Sequence, residues 1–149
     1  MTQPEWYSLA LAERGVKEAP GPANNPVVQA YYSDAGHPET IHDSVPWCAA
    51  FVGAMLARAG LPTSGSLTAR SYLKWGRNLE RPRQGCVVVL KRGNSSWQGH
   101  VAFFVREEGR ALVCLGGNQS DRVSFATYPK ARVLGYRWPV SASGSSSAA

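Results

Sequence analysis

Three side chains in this sequence supply, in chain order, a thiol, an imidazole and a carboxamide: Cys48, His100 and Asn118. That is the residue set of acyl transfer by a thiol nucleophile, in which an imidazole moves the proton and a third polar group holds the ring. Cys48 falls in the first turn of an apolar helix. There the helix dipole and unpaired backbone N–H groups favour thiolate, so its pKa is expected to fall from about 8.5 toward roughly 3.5–7.5. The same N–H groups can serve as an oxyanion hole. His100 follows Gly99 at the head of an apolar strand, and Asn118 lies in LGGNQS, just past the next strand. Each has a plainer reading alone: an inert core thiol, a strand-edge histidine bonded to backbone, an asparagine satisfying a turn. Their joint placement at element ends points to a site.

The elements that must position them follow from periodicity and punctuation. Glu5–Arg14 reads as a helix closed by Gly15, and Pro26–Ala35 as a second. Val45–Gly60 is the strongest helix, with Ser44 as cap, Pro46 in the first turn and Gly60 and Pro62 at the end. It is apolar on nearly every side, which predicts burial. A fourth helix is expected over Ser66–Gly76. The second half changes to Val-rich runs bounded by turns: Gly85–Lys91, His100–Arg106, Ala111–Leu115, Val123–Tyr128 and Val133–Trp138, which predict an antiparallel sheet. Helices first and strands second give an α+β fold, N-terminal helices packed on a C-terminal sheet. If Glu107-Glu108-Gly109 is a three-residue hairpin loop, Arg106 faces Arg110, His100 faces Gly116, and Asn118 is the diagonal neighbour of His100. A slip of one residue would separate them onto opposite faces.

Composition bounds the rest. The 149 residues suit one domain, expected over 1–139, with a Ser/Ala-rich disordered tail over 140–149. No apolar run approaches the roughly 18 residues of a membrane span, so no stable membrane insertion is expected. The net charge of +6 favours anionic partners. The basic residues are scattered, with pairs such as Lys91-Arg92 and no block of five, which argues against nucleic acid. The odd count of three cysteines leaves at least one thiol free. Cys86 and Cys114, each in a Val/Leu-rich strand, read as buried thiols, with a cross-strand disulfide as the alternative. His37 and His42 lack a third ligand at convincing spacing, so no metal site and no cofactor is expected. The N-terminus shows no basic segment followed by an apolar one, so no signal peptide is expected. The chain is expected to be made in a reducing cytoplasm, with no disulfide scaffold.

VPWCAAFV around Cys48, GHVAFFV around His100, LGGNQSDRV around Asn118 and the final YRWP resemble the CHAP-like and NlpC-like papain-fold hydrolases of bacterial cell walls. More narrowly they are similar to compact phage-type lysis enzymes, over Pro4 to Pro139, with ERGVKEAPGPANNP resembling the opening of such domains. The resemblance implies a peptidoglycan amidase or endopeptidase cutting a stem-peptide amide. Cys48 would be nucleophile, His100 base and then acid, and Asn118 the orienting residue. Many relatives carry His or an acid in that third place, which leaves Asp121 open for the role. Trp47, Gly99 and Gln119 lie in the same motifs as support or substrate contacts. Trp97 is a candidate groove wall, and Asp43 an outside candidate for polar support of the oxyanion hole or substrate, with helix-start electrostatics the favoured reading. The implied partner is peptidoglycan, with the chain a monomer. Action would be in the periplasm or wall after lysis-type release or specialised secretion, and a secreted effector would need an immunity protein. The rival readings are a catalytically idle wall-binding or virion structural domain of the same fold, and a basic nucleic-acid module.

Overall fold

A computed structural model describes residues 3–18, 24–38 and 47–140. Helix α1 spans Glu5–Ala12, α2 Pro26–Asp34 and α3 Cys48–Arg58. Strands β1 (Arg77–Leu79), β2 (Val87–Lys91), β3 (Gly99–Glu108), β4 (Ala111–Gln119), β5 (Arg122–Pro129) and β6 (Val133–Trp138) form one antiparallel sheet in the order β1-β6-β2-β3-β4-β5. Helices packed on an antiparallel sheet are the α+β arrangement the sequence predicts.

The period-two pattern of the strands divides the interior in two. Val87, Val89, Val101, Phe103, Val113 and Leu115 face the helices. Cys86, Val88, Leu90, Ala102, Phe104 and Cys114 form a second apolar cluster on the other face, flanked by Tyr128 and Tyr136. With both faces covered, the central strands read as continuous hydrophobic runs rather than alternating ones. Helix α3 is the element between helices and sheet, buried from Cys48 to Leu56 without a break. Gly53 lets it approach α2, because a Cβ there would stand 2.9 Å from the Cβ of Ala35.

Four expectations change in the structure. Helix α3 begins at Cys48 with Trp47 in the cap position, later than the expected Val45; Ser44 and Pro46 lie outside the described residues. The helix expected over Ser66–Gly76 shrinks to a 3-10 turn over Ala69–Lys74. The hydroxyls of Ser64, Ser66 and Ser71 bond nearby backbone groups, offering the chain a local alternative to the helix. Strand β1 was not legible: its three residues carry no apolar alternation, and Gly76 sits so close to Trp138 that a Cβ would meet its carbonyl oxygen at 2.5 Å.

The fourth change is in the β3–β4 hairpin. Glu108 pairs with Ala111 and Arg106 with Val113, so the loop has two residues, Gly109 and Arg110, rather than three. Gly109 does take the left-handed conformation expected of it, at φ 61°. The register then shifts at a bulge between Phe104 and Arg106, giving Phe103↔Leu115. The tail expected over 140–149 lies, from residue 141 on, outside the described residues.

Candidate active site

Cys48 is the first residue of α3 and 4% exposed. Burial pushes its thiol pKa up, against the fall expected from its helix position alone. Donation from the backbone N–H groups of Val101, Ala49 and Cys48 itself, and the charge of Arg92, oppose that rise without overcoming it. The resting state is therefore a neutral thiol held by backbone donors. The Val101 N–H is available because no strand pairs with β3 on that side at this point. Phe104 N–H bonds Cys86 O toward β2, and alternation turns the Val101 N–H toward β4, beyond the last paired residues Phe103 and Leu115.

His100 is 3% exposed and faces the second cluster. Its Nε2 lies 2.9 Å from Oε1 of Gln119, and its ring stands 5.4 Å from that of Tyr128. The Gln119 amide is held at both ends. Its nitrogen donates to Ser124 O at 2.6 Å and Cys114 O at 3.4 Å, and its oxygen accepts from the Tyr128 hydroxyl at 3.1 Å. Carbonyls only accept, so the amide nitrogen must face them and the amide oxygen must face His100. His100 must then carry its proton on Nε2. Among the described residues its Nδ1 makes no hydrogen bond and keeps its lone pair, the state a general base requires. Burial lowers the His100 pKa from 6.5 to about 4, so the ring is neutral at physiological pH. Burial likewise pushes the Tyr128 hydroxyl up to about 12, so it remains a donor to Gln119. No hydrogen bond joins Cys48 to His100, but the sulfur contacts the amide of Val101, one peptide unit from the histidine. Catalytic hydrogen bonds are often long in a free enzyme and tighten with substrate.

The structure brings His100 to Gln119 and not to Asn118. Gly116 pairs with Ser124 but Gln119 with Arg122, so β4 carries an irregularity that Asn118 occupies, at φ 58°. The two glycines of LGGNQS make this possible. A Cβ on Gly117 would meet Trp47 and Phe51 at 2.8 and 2.7 Å on the helix face. One on Gly116 would meet Ala102 and Gln119 Oε1 at 2.8 and 2.9 Å on the other. Asp121, at φ 60°, sits with Ser120, at φ 56°, at the exposed tip of a two-residue turn closed by Gln119↔Arg122, and does not reach His100. Both left-handed residues fit a type I′ hairpin.

Trp47 is fully buried. Its indole donates to Glu18 at 3.0 Å and stacks on Tyr31 with ring centres 5.9 Å apart, so it supports the site rather than meeting substrate. Gly99 lies where a Cβ would stand 2.9 Å from Leu90 O. Gly99 and Trp97, the latter 72% exposed, line a cavity of about 230 Å³ that opens on Cys48. Asp43 lies outside the described residues, as does His42. Cys86 and Cys114 are free and fully buried, with pKa values pushed up to about 12 by burial. Cys86 lies just before β2 and Cys114 on β4, with β3 running between those strands. Sequence reasoning missed Tyr128 and Arg92. The alternation of β5 was a usable signal for the first; nothing local marked the second.

A thiol at a helix start, an imidazole on the adjoining strand and an amide locking its tautomer define a candidate thiol–imidazole site on an α+β sheet. The chain belongs to the CHAP domain family, whose model matches residues 40–118, just over half of the sequence. This is a family of peptidoglycan hydrolases, in general cysteine-dependent. The match spans Cys48 and His100 and stops one residue short of Gln119. No curated protein matches. Among solved structures, the chain is similar to a lipoprotein of the NLP/P60 family from Staphylococcus aureus subsp. aureus Mu50. The identity is 16% and the TM-score 0.44, over 80% of this chain and 43% of that one. The chain thus spans less than half the length of that structure.

Among the described residues no helix is long and apolar enough to cross a membrane, and no cluster of three or more His, Cys, Asp or Glu is placed to hold a metal ion.

Proposed function

We propose that this chain hydrolyses an amide bond of the peptidoglycan stem peptide, as an amidase at the sugar–peptide junction or an endopeptidase within the peptide. Cys48 is the nucleophile, His100 the base and then the acid, and Gln119, rather than Asn118 or Asp121, the residue that positions His100. The observation that carries this reading is the tautomer lock: the Gln119 amide fixes the proton of His100 on Nε2 and leaves Nδ1 as a base, on the residue adjoining Val101, whose backbone N–H meets the Cys48 sulfur.

The chemistry starts from a neutral pair. As the Cys48 sulfur attacks the substrate carbonyl carbon, its proton passes to Nδ1 of His100. The oxyanion takes hydrogen bonds from the backbone N–H groups that open α3. The imidazolium, held by Gln119, gives its proton to the leaving amine. Water, deprotonated by the neutral ring, then attacks the thioester and frees the acid product. A neutral base with a pKa near 4 deprotonates a thiol weakly, so substrate binding must supply part of the activation by excluding water and drawing Nδ1 to the sulfur.

Fragments released from purified peptidoglycan, identified by mass spectrometry with Cys48→Ala as control, test the reading. Intact stem peptides free of sugar assign an amidase, and cut stems or cross-bridges an endopeptidase. No release by the folded wild type from walls of several chemotypes would leave the idle wall-binding domain in its place. A lysis-type role, with access to the wall supplied by another factor, belongs to the same reading.

A further inference from the structure

The chemistry above uses Cys48, His100 and Gln119, yet the cavity on Cys48 carries a charge that none of those steps uses. Its lining includes Leu67, Ala69, Arg92 and Trp97. Past the exposed ring of Trp97 and Thr68, a second cleft of about 730 Å³ continues, with Arg70 and Lys74 on its wall. Among the described residues these two linings hold three cations and no carboxylate. The three are not equivalent. Arg70 is committed to the protein: its Nε donates to Gln98 O and its Nη2 to Ser95 O, both at 2.8 Å, which pins the loop bearing Trp97. Lys74 lies in the outer cleft, away from the sulfur. Arg92 is exposed, its side chain makes no hydrogen bond or ion pair with the described residues, and it lines the same cavity as Cys48. Its charge is felt at both Cys48 and His100. A guanidinium with no side-chain partner among the described residues, in a cavity whose described lining holds no acid, selects for an anion of planar, two-oxygen shape.

We propose that Arg92 is a specificity-determining residue that receives a carboxylate of the substrate at the Cys48 cavity, so that the preferred substrate is an acidic peptide with a free carboxylate near the scissile amide. The inference rests on the hydrolase reading for its biological meaning, but its test does not. Two alkylating agents of nearly equal size separate charge from reactivity: iodoacetate is anionic and iodoacetamide neutral. Both react by displacement of iodide by the Cys48 sulfur. Anything that changes thiolate content acts on both alike, and their rate ratio isolates recruitment of the carboxylate. Labelling is followed at the Cys48 peptide by mass spectrometry, at low salt.

The iodoacetate-to-iodoacetamide ratio is expected to fall by about three- to tenfold in Arg92→Gln, as suits loss of one charge at contact range in a partly solvated site. It should stay near the wild-type value in Arg92→Lys and fall in the wild type as salt rises. A ratio unchanged in Arg92→Gln would overturn the proposal. No labelling of Cys48 by either reagent would overturn it too, along with the open site beneath it. In parallel, walls with free and with amidated stem carboxylates are digested. The wild type should favour the free acids through KM, and Arg92→Gln should lose that preference. An Arg92-dependent labelling ratio without wall cleavage would remove the proposed reaction and leave the carboxylate site standing; cleavage with an Arg92-independent ratio would do the reverse.

Discussion

At the head of β3 two environments meet that differ in almost every physical respect. On its helix side lies Cys48, at the floor of an open, mainly apolar cavity, with its sulfur held by backbone N–H groups and the exposed Arg92 at the mouth. On the other side His100 lies in a closed polar network, each atom of the Gln119 amide spoken for and Tyr128 against its ring. The nucleophile is positioned by main chain and must be accessible; the base is positioned by side chains and must be shielded. Backbone donors tolerate changes of neighbouring side chain, whereas a network of four hydrogen bonds through one amide does not. The two sides should therefore respond to substitution in different ways.

The largest expected effect is on the open side. Cys48→Ala should lower wall hydrolysis by at least about 10⁴-fold, as loss of a nucleophile does, while leaving thermal unfolding nearly unchanged. Fragment release at wild-type rates would remove the thiol from the mechanism. Activity without stability is the signature predicted for this face.

The closed side should show both. The His100 pKa is about 4 in the fold against an ordinary 6.5, because burial penalises the charged ring. Between those values the unfolded chain binds a proton that the folded chain does not. The stability tied to the neutral ring is full above about pH 6.5 and is lost as pH falls toward 4, by about 3 kcal/mol for a shift of this size. Urea unfolding of wild type and His100→Ala across this window checks it: the variant should lose that part of the acid dependence, and parallel curves would show that the ring titrates normally. The same neutrality places the acid limb of kcat/KM near pH 4 rather than 6.5.

Next in size is the lock itself. Gln119→Ala frees the ring tautomer and should cost about 10- to 100-fold in kcat, a part of the roughly 10²–10⁴ that acid–base catalysis supplies. A fall in the acid-limb pKa with little change in KM would accompany it, because the Gln119 oxygen that favours the protonated ring is gone. A purely structural role would lower stability and leave the pH profile where it was.

Much of this was legible before any coordinates. The apolar run behind Cys48 left little choice but a buried helix, and the Val-rich runs little choice but an antiparallel sheet. What escaped was register. A two-residue turn at Gly109-Arg110 moves the partner of Arg106 from Arg110 to Val113, and a bulge at Val105 and a second irregularity between Gly116 and Gln119 each move the chain by one further position. One position decides whether Asn118 or Gln119 meets His100. Glycines in LGGNQS signalled close approach without saying to what; the answer, Trp47 and Phe51 on one face and Ala102 on the other, depends on contacts far apart in sequence. Arg92 was invisible for a related reason, since a cation gains meaning only from the residues that share its cavity, and among the described ones none is an acid.

The smallest expected effect sharpens that choice of residue. Asn118 sits at φ 58°, where a non-glycine side chain costs about 1 kcal/mol, and its amide makes no hydrogen bond to His100. Asn118→Ala is a poor test, because alanine keeps the backbone penalty and loses the short polar group that eases it. Asn118→Gly removes the side chain and suits the conformation, so it should leave stability within about 0.5 kcal/mol and kcat within about twofold. A loss in Asn118→Gly as large as that in Gln119→Ala, with the fold intact, would move the orienting role back to the asparagine. Retained activity there, beside a crippled Gln119→Ala, would place the third member of the site one residue beyond the motif's asparagine.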